Sequence, residues 1–182
     1  TKDERIQYSP ERMEETIKLA VKKSNWGNTT EGTYQGFSAY YSHNTHVAEV
    51  ADIVMKNGMP IVKKVTVAVD CGIVVNPLGA KNQVEGGVID GIGHAMYGDF
   101  SFKEGTPQAV NFDNYRLIRM QETPEVSTHF VESGLSPTGL GEPGLPPAGG
   151  AVANAIHTAT GERLLKQPFI NELEMSKSKI LG

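Results

Sequence analysis

Residues 46–69 read HVAEVADIVMKNGMPIVKKVTVAV, and the Asn57-Gly58 pair inside this stretch decides the fold. An Asn-Gly pair between two apolar runs is the strongest short-range signal for a β-hairpin, because both residues tolerate the positive φ that a two-residue turn requires. We therefore predict a strand over 46–55 and a returning strand over 61–69, whose valines occupy every second position. The chain is built outward from this antiparallel pair.

Further strands are predicted on both sides of the hairpin. Residues 32–42 carry four aromatic side chains, and residues 115–120 and 126–131 are rich in β-forming residues. Turns are predicted at Asn76-Pro77 and at Glu104-Gly105. These segments predict a mixed or antiparallel sheet.

Three helices complete the prediction. The first covers 10–26, with Ser9 as N-cap, Pro10 at the first helical position and Gly27 as the stop. The second covers 80–96, and a third includes 151–156 and ends near Thr160-Gly161. The last dozen residues are predicted to be a frayed or docking tail. The fold class is thus α+β, a mixed or antiparallel sheet with packed helices, in a single domain spanning 1–182.

The second helix has four interior glycines, each of which costs about 1 kcal/mol relative to alanine. They are Gly86, Gly87, Gly91 and Gly93. Such a cost calls for a structural reason. Either another backbone or a ligand approaches the helix closely, or the helix packs tightly on the sheet.

Composition excludes several classes of function. The 182 residues suit one core, and 17 basic against 21 acidic residues give a net charge of −4, which argues against a nucleic-acid surface. Cys71 is the single cysteine, so the chain can form no internal disulfide and hold no iron–sulfur cluster by itself. No apolar run approaches the roughly eighteen residues of a membrane span. The chain begins Thr1-Lys2-Asp3, which indicates processing or a piece of a longer protein.

The most unusual local sequence is 139–150, GLGEPGLPPAGG, in which Glu142 is the only ionisable residue. Glycine permits close backbone approach and proline fixes φ, so this loop predicts a rigidly positioned and desolvated carboxylate. Two interpretations stay open at this level: a carboxylate that caps the following helix, or a general base.

The histidines predict no site. His43 and His46 would point to opposite faces of a strand, and no further His or Cys joins them, so zinc is not expected. His94 lies in the glycine-rich helix, facing a ligand or solvent. The sequence contains no P-loop and no Gly-x-Ser-x-Gly elbow, and Gly91-Ile92-Gly93 lacks the spacing of a dinucleotide fingerprint.

Four ordered motifs nevertheless resemble the C-terminal part of the large subunit of molybdenum hydroxylases, the xanthine dehydrogenase and aldehyde oxidoreductase family. They are DCGIVVNP (70–77), QVEGGVIDGIG (83–93), NFDNYR (111–116) and GLGEP (139–143). The Gly-Glu-Pro-Gly-x-Pro-Pro variant is most similar to the isoquinoline 1-oxidoreductase beta-subunit branch. The resemblance implies a molybdenum-cofactor-binding domain of the aldehyde oxidase/xanthine dehydrogenase type.

The resemblance also implies roles for particular residues. Glu142, in the Gly-x-Gly-Glu-Pro motif, matches the general base that takes the proton from a molybdenum-bound hydroxyl, whose oxygen then attacks an electron-poor carbon. Gln83 matches a pterin-contacting glutamine, and Gly86 and Gly87 would admit the pterin or pack beneath it. Gly141 belongs to the same cofactor-binding set and frames the loop with Pro143. No residue of this chain is expected to ligate the metal.

What the resemblance implies for the whole protein is hydroxylation of an N-heterocycle or oxidation of an aldehyde, with water as the oxygen source. The cofactor would be molybdopterin, in its cytosine dinucleotide form. The implied partners are an N-terminal remainder of the large subunit, a small subunit or electron-transfer protein with [2Fe–2S] clusters, and a small-molecule substrate. We expect the isolated chain to bind no cofactor and to be inactive. Bacterial relatives are cytoplasmic or periplasmic, which leaves the location open.

Two rival functions remain at this level. One is a non-catalytic scaffolding module or degenerate paralogue of the same fold. The other is a simple hydrolase that uses Glu142 with a histidine, which requires an imidazole within about 3 Å of the carboxylate or its water.

Overall fold

A four-stranded mixed sheet forms the centre of the molecule, as predicted. The computed structural model describes residues 8–180, with side chains through Glu174. Strands β1 (Thr33–Ser42), β2 (Thr45–Lys56) and β3 (Met59–Asp70) form an antiparallel meander, and β6 (Glu125–Phe130) pairs in parallel with β3. A small hairpin, β4 (Phe102–Lys103) and β5 (Thr106–Pro107), lies apart from this sheet.

Two tight turns set the register of the meander. Asn57 and Gly58 have φ of 53° and 70° and connect β2 to β3, as the sequence predicts. His43 and Asn44 have φ of 50° and 61° and connect β1 to β2. Two consecutive residues with positive φ match the right-handed twist of the strands that they join. The second turn was not predicted.

Helix α1 (Pro10–Ser24) covers one face of the sheet, on which Ala48 and Ala68 are fully buried. The hydroxyl of Ser9 accepts a hydrogen bond from the Arg12 backbone N–H, which confirms the predicted N-cap. The predicted stop at Gly27 is wrong: the helix ends at Ser24, and Asn25 takes the left-handed conformation with φ of 54°. Asparagine tolerates this conformation and so replaces the expected glycine.

Helices α2 (Pro77–Tyr97) and α3 (Leu145–Thr160) cover the other face and enclose the main core. Both begin earlier than predicted. Asn76-Pro77 is not a free turn, because Asn76 caps α2 and Pro77 is its first residue. Pro146 and Pro147 lie in the first turn of α3, where the missing N–H groups cost nothing.

Gly91 explains how α2 and α3 pack. A Cβ at Gly91 would overlap the carbonyl oxygen of Leu145 and lie 3.0 Å from the Cβ of Ala148. A Cβ at Gly93 would lie 3.3 Å from the Ile118 side chain. Close approach of neighbouring segments therefore accounts for these two glycines but not for Gly86, which meets nothing within 4 Å.

One prediction in the second half of the chain is wrong, and for the predicted frayed or docking tail the structure favours docking. Residues 115–120 are not a strand: the segment is irregular and leads into a 3₁₀ turn at Met120–Glu122, where Arg116 stacks on the ring of Tyr97. The predicted tail contains helix α4 (Phe169–Ile180), in which Phe169 and Leu173 are buried in the core. Their apolar contacts outweigh the polar composition of the segment. The tail's last two residues lie outside the described part.

Candidate functional site

The Glu142 loop lies between β6 and α3 and is anchored through its backbone. The carbonyl of Glu142 accepts a hydrogen bond from Leu145 N at 2.9 Å, and Pro143 and Gly144 are buried. The Glu142 carboxylate makes no cap contact with α3, whose N-cap is Gly144. The capping interpretation is therefore wrong for this side chain.

The carboxylate itself is open to solvent. The Glu142 side chain is 78% exposed, so the desolvation expected from its glycine- and proline-rich loop does not occur among the described residues. The loop buries Pro143, Gly144 and Pro147, but its Glu142 carboxylate is directed outward. Any enclosure of Glu142 must therefore come from outside this part of the chain.

The other predicted cofactor residues lie beside this carboxylate. A Cβ at Gly141 would stand 3.6 Å from Oε1 of Gln83, and a Cβ at Gly87 would stand 3.6 Å from the carbonyl oxygen of Gly141. The amide of Gln83 is exposed and makes no hydrogen bond to the described residues. Gly86, one residue before Gly87, faces open space. The fold thus brings Gln83, Gly86, Gly87, Gly141 and Glu142 to one surface.

Sequence reasoning missed His43, which is the described partner of Glu142. Nε2 of His43 lies 3.2 Å from Oε2 of Glu142, and Nδ1 lies 3.3 Å from the hydroxyl of Ser42. A neutral imidazole with its proton on Nε2 satisfies both contacts, because Nε2–H donates to the carboxylate and Nδ1 accepts from Ser42. The sequence did contain a signal for this turn: the predicted strands end at 42 and start again at 46, which leaves room only for a tight turn that contains His43.

The β1–β2 turn and the Glu142 loop are clamped together. Gly139 N donates to the carbonyl of His43 at 3.1 Å, and the buried hydroxyl of Thr45 bonds to Thr138 and to the carbonyl of Gly139. A Cβ at Gly139 would lie 2.7 Å from Cβ of His43, so only glycine fits there. His43 and Glu142 therefore belong to two segments that are held rigidly against each other.

The remaining histidines serve structural or surface roles. His94 is 51% exposed, and its Nε2 lies 3.6 Å from Oδ2 of Asp90 one turn earlier on α2. His46 is buried and accepts a hydrogen bond from Ser9 N, and burial lowers its pKa to about 4. The described residues hold no cluster of three or more His, Cys, Asp or Glu suited to a metal ion.

The buried carboxylate of Asp70 joins the start of α1 to the end of β3. Asp70 accepts hydrogen bonds from Arg12 Nε at 2.7 Å, from Ser133 and from Gly72 N. Burial raises the pKa of Asp70, but these three hydrogen bonds outweigh burial, so its pKa lies below the ordinary value. This ion pair supports the segment that leads from β3 into α2.

Comparison with known proteins adds three findings. Residues 3–124 match the family model described as molybdopterin cofactor-binding domain. The chain is 32% identical over 169 residues to "membrane-bound aldehyde dehydrogenase [pyrroloquinoline-quinone]" of Gluconacetobacter polyoxogenes, covering 86% of this chain and 21% of that protein. It is 30% identical over 167 residues to isoquinoline 1-oxidoreductase subunit beta of Brevundimonas diminuta, covering 88% and 21%.

A solved structure has the same fold. Quinoline 2-oxidoreductase from Pseudomonas putida 86 superposes with a TM-score of 0.65 at 19% identity, over 72% of this chain and 18% of that one. The chain thus spans about a fifth of the length of the curated relatives that it matches. None of the helices in residues 8–180 has the length and apolar character needed to cross a membrane.

Proposed function

This chain belongs to the molybdopterin cofactor-binding domain family of the molybdenum hydroxylases, and we propose that it supplies the pterin-contacting wall and the general base of such an enzyme. The observation that carries the proposal is the shared surface of Gln83, Gly86, Gly87, Gly141 and Glu142. A flat, polar ligand suits this surface, because the Gln83 amide makes no hydrogen bond to the described residues, the Glu142 carboxylate is exposed and Gly86 faces open space. The residues present therefore fit a pterin.

Each residue has a distinct task in this proposal. Gln83 would bind the pterin through its exposed amide, and Gly86 would let the ring system approach the backbone of α2. Gly87, which faces the backbone of the Glu142 loop, would pack beneath the pterin. When bound, the cofactor supplies the redox chemistry and the oxygen transfer. Glu142 would accept a proton at its carboxylate as the substrate is attacked.

The exposure of Glu142 supports a second part of the proposal. A general base works best in an enclosed site, and here 78% of the Glu142 side chain is uncovered. We propose that an N-terminal remainder of the large subunit covers this surface and supplies the substrate funnel. Electrons would leave through [2Fe–2S] clusters on a partner subunit, because a cluster needs about four protein ligands and this chain has the single cysteine Cys71. The cofactor would be the cytosine dinucleotide form, and the substrate an N-heterocycle or an aldehyde.

The test is a Glu142→Gln exchange in the full-length enzyme that contains this chain. Loss of a general base should lower kcat by roughly 10²- to 10⁴-fold, while molybdenum and pterin content stay at wild-type levels. Gln83→Ala should instead lower the cofactor content. The matched control is Glu125→Gln, because Glu125 is also exposed (68%) and also paired, with Lys64 at 3.2 Å.

Three results would contradict parts of the proposal. Retained turnover in Glu142→Gln would refute Glu142 as the general base, and a scaffolding module or degenerate paralogue would then describe the chain better. Pyrroloquinoline quinone in place of molybdenum in the purified holoenzyme would refute molybdopterin as the cofactor. Stoichiometric molybdenum on the 182-residue chain alone would contradict the expected need for the rest of the enzyme.

A hydrolase is the second candidate, because the distance criterion for a histidine is met by His43 at 3.2 Å. The Ser42 hydroxyl, the His43 imidazole and the Glu142 carboxylate also contact one another in series, as the hydroxyl, imidazole and carboxylate of a catalytic triad do. We rank it second because His43 and Glu142 are 54% and 78% exposed, and because the family motifs have no role in it. Ester hydrolysis that Ser42→Ala abolishes would reverse this ranking.

A further inference from the structure

We propose that His43 is a positioning residue for Glu142: its Nε2–H holds one carboxylate oxygen and leaves the other free to take the proton. This inference rests on the proposed function of Glu142 and adds a second residue to it. The supporting contact is the 3.2 Å distance between Nε2 of His43 and Oε2 of Glu142.

The imidazole is itself held in place. Its Nδ1 lies 3.3 Å from the Ser42 hydroxyl, so both ring nitrogens are engaged and the ring cannot rotate without losing a contact. The backbone of His43 has φ of 50°, which the two-residue turn requires. A residue other than glycine, asparagine or aspartate is uncommon at such a position, although histidine tolerates it better than most.

The turn is also coupled to the loop that carries the base. The hydrogen bond from Gly139 N to the carbonyl of His43 and the two bonds of the Thr45 hydroxyl fix the distance between the two segments. A long, exposed glutamate side chain would otherwise sample many rotamers. The contact with a fixed imidazole therefore selects the rotamers that direct the free oxygen away from the hairpin.

The proton balance is simple. His43 keeps its Nε2 proton throughout and neither gives nor takes one. The proton that leaves the reacting group is accepted by Oε1 of Glu142, while Oε2 stays hydrogen-bonded. The contact is weak while solvent surrounds it and strengthens when the surface is covered, because a lower local dielectric reinforces a charge-assisted hydrogen bond.

A matched pair of amides tests the role of the donor. His43→Gln places an N–H group close to the position of Nε2, whereas His43→Asn is one methylene shorter, suits the left-handed turn and cannot reach Glu142. In the loaded full-length enzyme, His43→Asn should lower kcat on the order of 10- to 100-fold with KM and molybdenum content near wild type. His43→Gln should recover most of the loss. The control is His94→Asn, which removes the other exposed histidine paired with a carboxylate.

A second readout needs no turnover. Crystal structures of the full-length protein without cofactor, as wild type and as His43→Asn, report the orientation of the Glu142 carboxylate. In wild type this carboxylate should occupy one orientation, with Oε2 toward His43, whereas in His43→Asn it should occupy several. His94→Asn should keep the wild-type orientation.

The outcomes separate the two proposals. If Glu142→Gln abolishes turnover but His43→Asn is as active as wild type, the role of His43 is refuted and that of Glu142 stands. If Glu142→Gln retains turnover, the proposed function fails, whatever His43 does. A Glu142 carboxylate that occupies the same single orientation in wild type and in His43→Asn refutes the positioning role of His43.

Discussion

Glu49 provides the sharpest test of the structure, because it is a fully buried carboxyl group with no partner among the described residues. It lies at the centre of β2, between Ser38 on β1 and Val67 on β3, and neither of its oxygens has a hydrogen bond to that part of the chain. Its neighbours on the same face, Val47 and Ala51, belong to the apolar core under α2 and α3. Burial alone raises the pKa of Glu49 well above the ordinary value.

The consequence for stability follows from proton linkage. Above pH of about 4.3 the unfolded chain releases this proton and the folded chain keeps it, so the folded state binds more protons. The free energy of unfolding therefore falls as pH rises, by up to about 1.4 kcal/mol per pH unit, until the folded-state pKa is reached. Glu49→Gln removes this titration and should flatten the profile between pH 5 and 7.

Glu49→Met tests the cost of the unpaired oxygens in the neutral acid. Leaving a buried polar group unsatisfied costs about 1–3 kcal/mol, and methionine has a similar shape without that cost. We expect Glu49→Met to raise the free energy of unfolding by about 1–3 kcal/mol at pH 5, and by more at pH 7, where wild type also carries the linkage penalty.

Urea unfolding of the purified 182-residue chain at several pH values, followed by circular dichroism, measures these differences. Asp52 and His46 also titrate in the folded state, so the quantity to compare is the difference between variant and wild type at each pH. Glu125→Gln is the control at an exposed glutamate. Parallel profiles for wild type and Glu49→Gln would refute a buried, unpaired Glu49, as would destabilisation by Glu49→Met at every pH.

Two further predictions concern the surroundings of the site. Asp70→Asn should lower the free energy of unfolding at pH 7 by about 3–5 kcal/mol, because it leaves Arg12 without its ionic partner. The pKa of Asp70 is lowered in the folded state, so this difference persists above pH of about 4 and shrinks as the pH falls further. Urea unfolding at pH 3 and pH 7 would contradict this if both pH values gave the same loss. Gly86→Ala and Gly91→Ala form a matched pair on α2. Gly86→Ala should stabilise the helix by about 0.5–1 kcal/mol yet reduce cofactor loading in the full-length enzyme. Gly91→Ala should destabilise the fold, because its Cβ would overlap the carbonyl oxygen of Leu145. Thermal unfolding and molybdenum content measure both, and equal effects of the two alanines would contradict the contacts described for α2.

Much of the fold could be predicted because it depends on neighbours in sequence. The Asn57-Gly58 turn, the Ser9 cap of α1 and the alternating valines of β3 were each predicted from a few adjacent residues and are confirmed. Family membership was likewise carried by short ordered motifs. The strand predicted over 115–120 was wrong: Ile118 packs against Gly93 of α2, whereas Leu117 and Met120 are exposed and pair with no strand of the described chain.

The sequence by itself determined the Asn57-Gly58 hairpin, the Ser9 cap of α1 and the family, and it nominated Gln83, Gly86, Gly87, Gly141 and Glu142 as candidate site residues. Only the tertiary structure decided that these residues share one surface, that the Glu142 carboxylate is exposed, and that His43 is its partner. The physical reason is that turns and caps are governed by local backbone conformation. Exposure and the pairing of distant side chains depend on how the β1–β2 turn and the loop before α3 are packed against each other.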